Sequence, residues 1–119
     1  MLLVLALALQ TAAASPSVMG FSCYGYGEKK PSKWPNISLE SNEWQDDKDG
    51  GWYKFDRVAP AKVWLMDRTS NGVQRVYTLD RRSLLLDDTM FIGPGSQMIN
   101  TQWICKIGPP IDINAGRKF

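Results

Sequence analysis

The stretch from Ala61 to Leu79 constrains the fold more than any other part of the chain. Two runs rich in β-branched and aromatic residues, 61–67 and 73–79, flank a polar segment that ends in Asn71-Gly72. Asn-Gly suits a tight hairpin turn because both residues tolerate φ > 0, which matches the twist of the paired strands. The pattern therefore predicts an antiparallel hairpin.

The first run of this hairpin is apolar on both faces. Val63 and Leu65 fall on one face, and Trp64 and Met66 fall on the other. A strand that is apolar on both faces is typical of the middle of a sheet that is covered from both sides. We therefore expect a buried hairpin at the centre of an antiparallel sheet.

The remaining segments predict one short helix and several more strands. Ser38 can cap a helix over 38–48, with Glu40 and Glu43 favoured in its early turns, although the apolar spacing fits a helix poorly. Further strands are predicted at 21–24, 52–55, 84–86, 90–92 and 102–107, separated by charged or Gly- and Pro-rich turns. These elements predict an α+β domain in which one helix packs on a central antiparallel β-sheet.

The first fourteen residues predict a secretory signal peptide. Residues 1–14 carry no charged side chain, consist mostly of Leu and Ala, and end in small residues. The run is shorter than the roughly 20 apolar residues that a membrane-spanning helix needs. We expect a secreted protein with a single domain over 15–119 and no membrane partner.

Three side chains are candidates for covalent modification outside a reducing compartment. Cys23 and Cys105 are the only cysteines and lie near the two ends of the mature chain, as a structural disulfide of a secreted domain would. Free thiols or a metal pair are the alternative, but no histidine or third cysteine completes a metal site. Asn36 begins an N-glycosylation sequon, which predicts a surface position.

Composition argues against several function classes. Lys and Arg number 14 and Asp and Glu number 12, a smaller basic excess than most nucleic-acid-binding domains show. The chain has no histidine, the side chain most often used in general acid–base catalysis near neutral pH. The acidic residues of 40–49 lack the spacing of a calcium loop, so we expect no metal and no cofactor.

The cysteine pattern resembles that of a known group of secreted proteins. Phe21-Ser22-Cys23 lies just after the predicted leader, and Cys105 is its distant partner. An aromatic-x-Cys triplet with a late cysteine is similar to the small secreted effectors of powdery-mildew fungi. That resemblance implies a ribonuclease-like fold closed by one disulfide.

The hairpin is similar to the active-site hairpin of guanyl-specific microbial ribonucleases. In that comparison 60–65 and 76–79 correspond to its two strands, which puts Lys62 at the position of the catalytic Arg and Leu79 at that of the catalytic His. Lys54 falls at the position of the catalytic Glu. Neither a lysine nor a leucine can replace the family's acid and base, so the resemblance implies a scaffold without catalytic activity.

These observations predict a secreted fungal virulence effector that acts by binding and is not an enzyme. We expect a monomer that binds a host protein, such as an immune receptor, with RNA as a second candidate partner, either outside or inside the host cell. The alternatives are a six-stranded, disulfide-linked sandwich effector of the kind known from blast fungi, and an apoplastic carbohydrate-binding or inhibitor protein rich in Trp. The candidate contact residues are Lys54, Lys62, Arg75, Tyr77, Arg81, Arg82 and the hairpin turn 68–72.

Overall fold

The described part of the chain forms one antiparallel sheet of nine strands in the order β4-β3-β2-β1-β9-β8-β7-β6-β5. The computed structural model describes residues 18–93 and 97–114, so the predicted signal peptide lies outside the described residues. The strands are β1 (Val18–Gly25), β2 (Asn36–Ser38), β3 (Glu43–Gln45), β4 (Trp52–Lys54), β5 (Arg57–Val58), β6 (Lys62–Ser70), β7 (Val73–Asp80), β8 (Leu85–Ile92) and β9 (Gln97–Gly108).

The predicted α+β fold is wrong, because 18–93 and 97–114 contain no helix. The segment 38–48 instead forms the end of β2, a turn, β3 and a second turn. Asn42 has a φ of 59°, which a right-handed helix does not allow. In the second turn the carboxylate of Asp46 accepts hydrogen bonds from the backbone N–H groups of Lys48 and Asp49. Such local side-chain bonds compete with helix formation.

The sheet curls into a half-barrel, and this curl encloses the core. Trp44 on β3 packs edge-on against Tyr77 on β7, with ring centroids 5.4 Å apart. Its indole Nε1 donates a hydrogen bond of 3.0 Å to the carbonyl of Leu65. One face of the sheet, here called the concave face, thereby buries most of the apolar side chains. The buried hydrophobic residues are Phe21, Cys23, Ile37, Trp44, Val63, Leu65, Tyr77, Leu79, Leu86 and Cys105.

The predicted hairpin is confirmed, but its position in the sheet is not. β6 and β7 pair across a turn in which Asn71 and Gly72 have φ values of 54° and 78°. However, β6 lies next to the short edge strand β5 and not at the centre of the sheet. Only one face of β6 is covered: Val63 and Leu65 are buried, whereas Trp64 is partly exposed.

The middle strand of the sheet is β9, which pairs with β1 on one side and with β8 on the other. The predicted disulfide is present and joins Cys23 of β1 to the facing Cys105 of β9. The strand predicted at 21–24 is therefore part of β1, which lies in the interior of the sheet between β2 and β9. The runs at 84–86 and 90–92 also belong to one strand, because the polar residues between them continue the pairing with β7 and β9.

The predicted surface position of Asn36 is wrong. Residues after β9 cover β2 on its other face, and the Asn36 side chain is 2% exposed. Its Nδ2 donates to the Gln45 side chain and to the Ile111 carbonyl, and its Oδ1 accepts from the Ile111 N–H. The amide nitrogen that would carry a glycan is therefore occupied and buried in the folded protein.

Candidate functional site

A polar groove lies on the concave face beside the core. Strands β7, β8 and β9 form its floor, and the loops that follow β1 and β3 form its walls. The groove has a volume of about 520 Å³. The residues that line it are Glu28, Ser32, Lys33, Asp46, Lys48, Arg75, Asp88, Met90, Thr101 and Trp103.

A buried ion pair holds the first loop over the groove. The Lys33 ammonium lies 3.1 Å from a carboxylate oxygen of Asp47, and both side chains are at most 10% exposed. The second oxygen of Asp47 accepts a hydrogen bond of 3.0 Å from the backbone N–H of Trp34. The Lys33 ammonium also lies 5.7 Å from the ring centroid of Tyr77. The Asp47 carboxylate balances the charge of the Lys33 ammonium and accepts its hydrogen bond, so the pair fixes the loop that contains Lys33.

A second ion pair lies on the floor of the groove. The guanidinium of Arg75 on β7 donates two hydrogen bonds to Asp88 on β8, at 3.0 and 2.8 Å. This two-point geometry is stronger and more directional than a single contact. The hydrogen bond to Asp88 raises the pKa of Arg75, so the group stays charged. The pair is partly exposed and therefore accessible to a ligand.

The Tyr77 hydroxyl lies among these charges without a hydrogen-bond partner among the described residues. Its side chain is fully buried, and its ring stacks near the Arg75 guanidinium at 5.0 Å. Burial raises the pKa of the Tyr77 phenol well above its usual value, and the carboxylates of Asp47 and Asp88 act in the same direction. Tyr77 is therefore a neutral donor and cannot serve as a base near neutral pH.

Trp103 lies on β9, at the side of the floor next to the loop that follows β1. Its indole Nε1 donates a hydrogen bond of 3.0 Å to the hydroxyl of Ser32, and that hydroxyl donates to Glu28 at 2.7 Å. Glu28 also accepts the backbone N–H of Gly25 at 2.6 Å. This chain of bonds connects the loop to the sheet, so the indole ring has a fixed orientation.

The groove presents donors and acceptors in fixed pairs. The chain lacks histidine, Tyr77 stays protonated, and Asp47 and Asp88 are each paired with a cation. No group of acidic side chains in 18–93 or 97–114 has the arrangement of a metal site. In that part of the chain no helix is long and apolar enough to span a membrane. The arrangement is suited to binding a ligand that offers both hydrogen-bond donors and acceptors.

The structure does not bring together the three residues predicted at degenerate catalytic positions. Leu79 is buried on the concave face, whereas Lys62 lies on the opposite, convex face beside Trp64. Their directions follow from the strand alternation, because Lys62 pairs with Asp80 and not with Leu79. Lys54 is exposed on β4 and pairs with Glu43 at 3.2 Å. A ribonuclease-like cleft is therefore not formed by these positions.

Of the predicted contact residues, Arg75 lines the groove, and Tyr77 is buried in the core beside it. Arg75 and Tyr77 are next-but-one neighbours on β7, and both face the concave side. Arg81 and Arg82 are exposed in the turn between β7 and β8, where the Asp80 carboxylate accepts the backbone N–H of Arg82. The hairpin turn 68–72 is exposed at the far end of the same hairpin.

The sequence prediction missed Lys33, Asp47, Asp88 and Trp103 as members of the site. Asp88 could have been found from the alternation of β8, had the two short runs been joined into one strand. Lys33 and Asp47 offer no local signal, because both lie in loops that meet only when the sheet curls. Their pairing is a property of the tertiary fold.

Comparison with known proteins adds no assignment: no family model, no curated protein and no solved structure matches this chain.

Proposed function

We propose that the protein is a secreted binding protein whose concave groove recognises a partner protein. The observation that carries this proposal is the composition of the groove floor, where Arg75, Met90 and Trp103 surround a fixed network of ion pairs. Arg, Met and aromatic side chains are the types enriched at the centres of protein–protein interfaces. Tyr, Trp and Arg also dominate the binding energy of such interfaces.

The balance of charge in the groove favours a polypeptide over a polyanion. Lys33 and Arg75 are each neutralised by a carboxylate, and the lining adds one further cation, Lys48, and two further carboxylates, Glu28 and Asp46. A phosphate chain would meet these carboxylates at close range, which costs free energy. A polypeptide offers N–H groups that match the carboxylates of the groove and C=O groups that match its cations.

The leader, the disulfide and the aromatic-x-Cys triplet support a role outside the producing cell. By its resemblance to fungal effectors, the protein acts as a virulence effector on a host protein, such as an immune receptor, and has no catalytic activity. The ribonuclease-like framework is not part of this proposal, because the fold excludes it. The sandwich alternative calls for six strands, whereas the sheet here has nine. The five Trp residues form no single row, since Trp44 is buried and Trp103 lies in the groove.

Two matched substitutions on β8 test the groove. Met90→Lys places a cation on the groove floor. Phe91→Lys places the same side chain at the next position of β8, on the convex face of the sheet. The mature protein and both variants serve as baits for host extracellular and cytosolic extracts. A bound protein is identified by mass spectrometry, then purified and titrated by calorimetry. We expect Met90→Lys to weaken this binding at least tenfold and Phe91→Lys to leave it within about twofold.

Thermal unfolding followed by circular dichroism confirms that both variants are folded before binding is compared. Binding that is lost with Phe91→Lys and retained with Met90→Lys would assign recognition to the convex face and overturn the proposal. Equal binding by all three proteins would do the same.

Binding of single-stranded RNA is a second candidate, favoured by one feature of the convex face. The indole of Trp64 is flanked by the Arg57 guanidinium at 4.0 Å and the Lys62 ammonium at 5.8 Å. Aromatic rings beside cations are typical stacking sites for unpaired bases. If this face binds RNA, fluorescence anisotropy will show an affinity that falls steeply with salt and that Trp64→Ala reduces. An affinity that is independent of salt excludes a phosphate contact.

A further inference from the structure

Two depressions adjoin on the convex face of the sheet, opposite the groove. The first has a volume of about 380 Å³, and its lining includes Tyr24 and Gln102. The second has a volume of about 240 Å³, and its lining includes Trp64 and Asp87. Leu85 lines both depressions, so a single ligand can occupy the two together. The two depressions are here called the convex channel.

The register of the strands explains why these side chains meet. Register partners on neighbouring strands place their side chains on the same face of a sheet. One row of such partners crosses four strands from β6 to β9: Trp64, Thr78, Asp87 and Gln102. A parallel row crosses β8, β9 and β1: Leu85, Ile104 and Tyr24. The channel therefore runs across the strands and not along them.

The convex channel has aromatic rings at both of its ends. At the β6 end, the Arg57 guanidinium lies 4.0 Å from the ring centroid of Trp64 and holds that ring from one side. At the β1 end lie Tyr24 and the fully exposed Tyr26. Four steps between neighbouring strands separate β6 from β1, which is about 19 Å along the sheet at roughly 4.8 Å a step. Rings at two separate points suit an elongated ligand with more than one apolar surface.

Between the rings, the channel offers hydrogen-bond donors and acceptors. The Gln102 Nε2 donates a hydrogen bond of 2.8 Å to the Asp87 carboxylate, which fixes the orientation of the Gln102 amide. The Oε1 and the second N–H of this amide have no partner among the described residues, so both can bond a ligand. The Lys62 ammonium and the Asp80 carboxylate line the second depression as well.

We propose that the convex channel binds a neutral, linear oligosaccharide. A pyranose unit has an apolar C–H face that packs on rings such as those of Trp64 and Tyr24, and a rim of hydroxyls that bond groups such as Gln102 and Asp87. One unit is about as long as the spacing between strands, so successive units meet successive strands. The site uses one tryptophan and two tyrosines and needs no row of tryptophans. It lies on the face opposite the groove and does not depend on a protein partner there.

The charges of the channel favour a sugar over other ligands. Asp80 and Asp87 share the second depression with a single lysine, so a phosphate chain would meet a net negative charge. A wholly apolar ligand would remove water from both carboxylates without replacing its hydrogen bonds, which costs free energy. A hydroxyl both donates and accepts, so one sugar unit can bond a carboxylate and the Lys62 ammonium together. A peptide N–H can only donate, and a peptide C=O can only accept.

Calorimetric titration with neutral oligosaccharides tests the proposal. The probes are cello-, laminari-, xylo- and chito-oligosaccharides, each from the disaccharide upward. We expect at least one series to bind, with an affinity that rises with chain length up to about four units, when the ligand reaches both aromatic ends. The affinity should not change with salt, because the probes carry no charge. Absence of binding in every series overturns the proposal, as does tighter binding of single-stranded RNA in competition with every series.

Matched variants on the convex face locate the bound sugar. Trp64→Ala and Gln102→Leu alter the channel, whereas Phe91→Ala and Gln74→Leu remove a ring and an amide on the same face outside it. Gln74 and Gln102 are well matched, since each donates a hydrogen bond to an aspartate. We expect the two channel variants to weaken binding at least about tenfold and the two controls to stay within about twofold.

The groove variant Met90→Lys separates this site from the proposed protein-binding groove. It should leave oligosaccharide binding within about twofold, whether or not it affects a protein partner. Circular dichroism verifies that every variant is folded. Equal weakening by the channel variants and their controls, or a loss of sugar binding with Met90→Lys alone, would place the sugar elsewhere and overturn the proposal.

Discussion

The hydroxyl of Tyr77 is a buried polar group that the described residues leave without a hydrogen bond. A buried unsatisfied hydroxyl costs about 1–3 kcal/mol relative to a bonded one. Tyr77→Phe removes this oxygen and keeps the ring that packs on Trp44. We expect the free energy of unfolding to stay the same or rise by about 1 kcal/mol, measured by urea denaturation.

Tyr53→Phe is the matched control, because it removes a tyrosine hydroxyl that does have a hydrogen-bond partner. Its hydroxyl donates to the Asp49 carboxylate at 2.5 Å and its ring is partly exposed, so the substitution should lower stability slightly. A loss of more than about 1 kcal/mol in Tyr77→Phe would show that its hydroxyl has a stabilising partner after all.

Among the elements, β1 and β9 depend most on a covalent link. The disulfide closes a loop of 82 residues, which on the chain-entropy model stabilises the fold by roughly 4–5 kcal/mol. The double variant Cys23→Ala/Cys105→Ala tests the link. Alanine is chosen over serine because both cysteines are buried and serine would bury a hydroxyl there. We expect its urea midpoint to fall sharply, and the reduced parent protein to behave similarly. An unchanged midpoint in both would contradict this expectation.

How far the sequence predicts each element depends on whether its signal is local. The β6–β7 hairpin was predictable because Asn71-Gly72 defines the turn from two adjacent residues. The structure of 38–48 was not predictable, because a genuine capping hydrogen bond starts there without a helix following it. The Ser38 hydroxyl accepts the Ser41 N–H at 3.1 Å. The chain then turns at Asn42 instead of continuing into a helix, and β3 gains its stability from the packing of Trp44 on Tyr77. That contact is 33 residues away along the chain and leaves no local pattern.

At the scale of the whole molecule, the order of the strands and the curl of the sheet determine the groove. The cysteine pair predicted that the ends of the domain meet, and they do meet at the centre of the sheet. The sequence could not show that Lys33 and Asp47 lie above Arg75 and Asp88, because this requires the two halves of the sheet to bend toward each other. Of the ten residues that line the groove, only Arg75 was therefore predicted beforehand.

The central place of β9 also bears on how the protein is made. Among the described residues β9 is the last strand, yet it joins the half formed by β1–β4 to the half formed by β5–β8. A nascent chain that lacks 97–108 has no strand to connect these halves, and the Cys23 thiol has no partner. The polypeptide thus cannot complete this sheet, or its disulfide, until 97–108 have been synthesised.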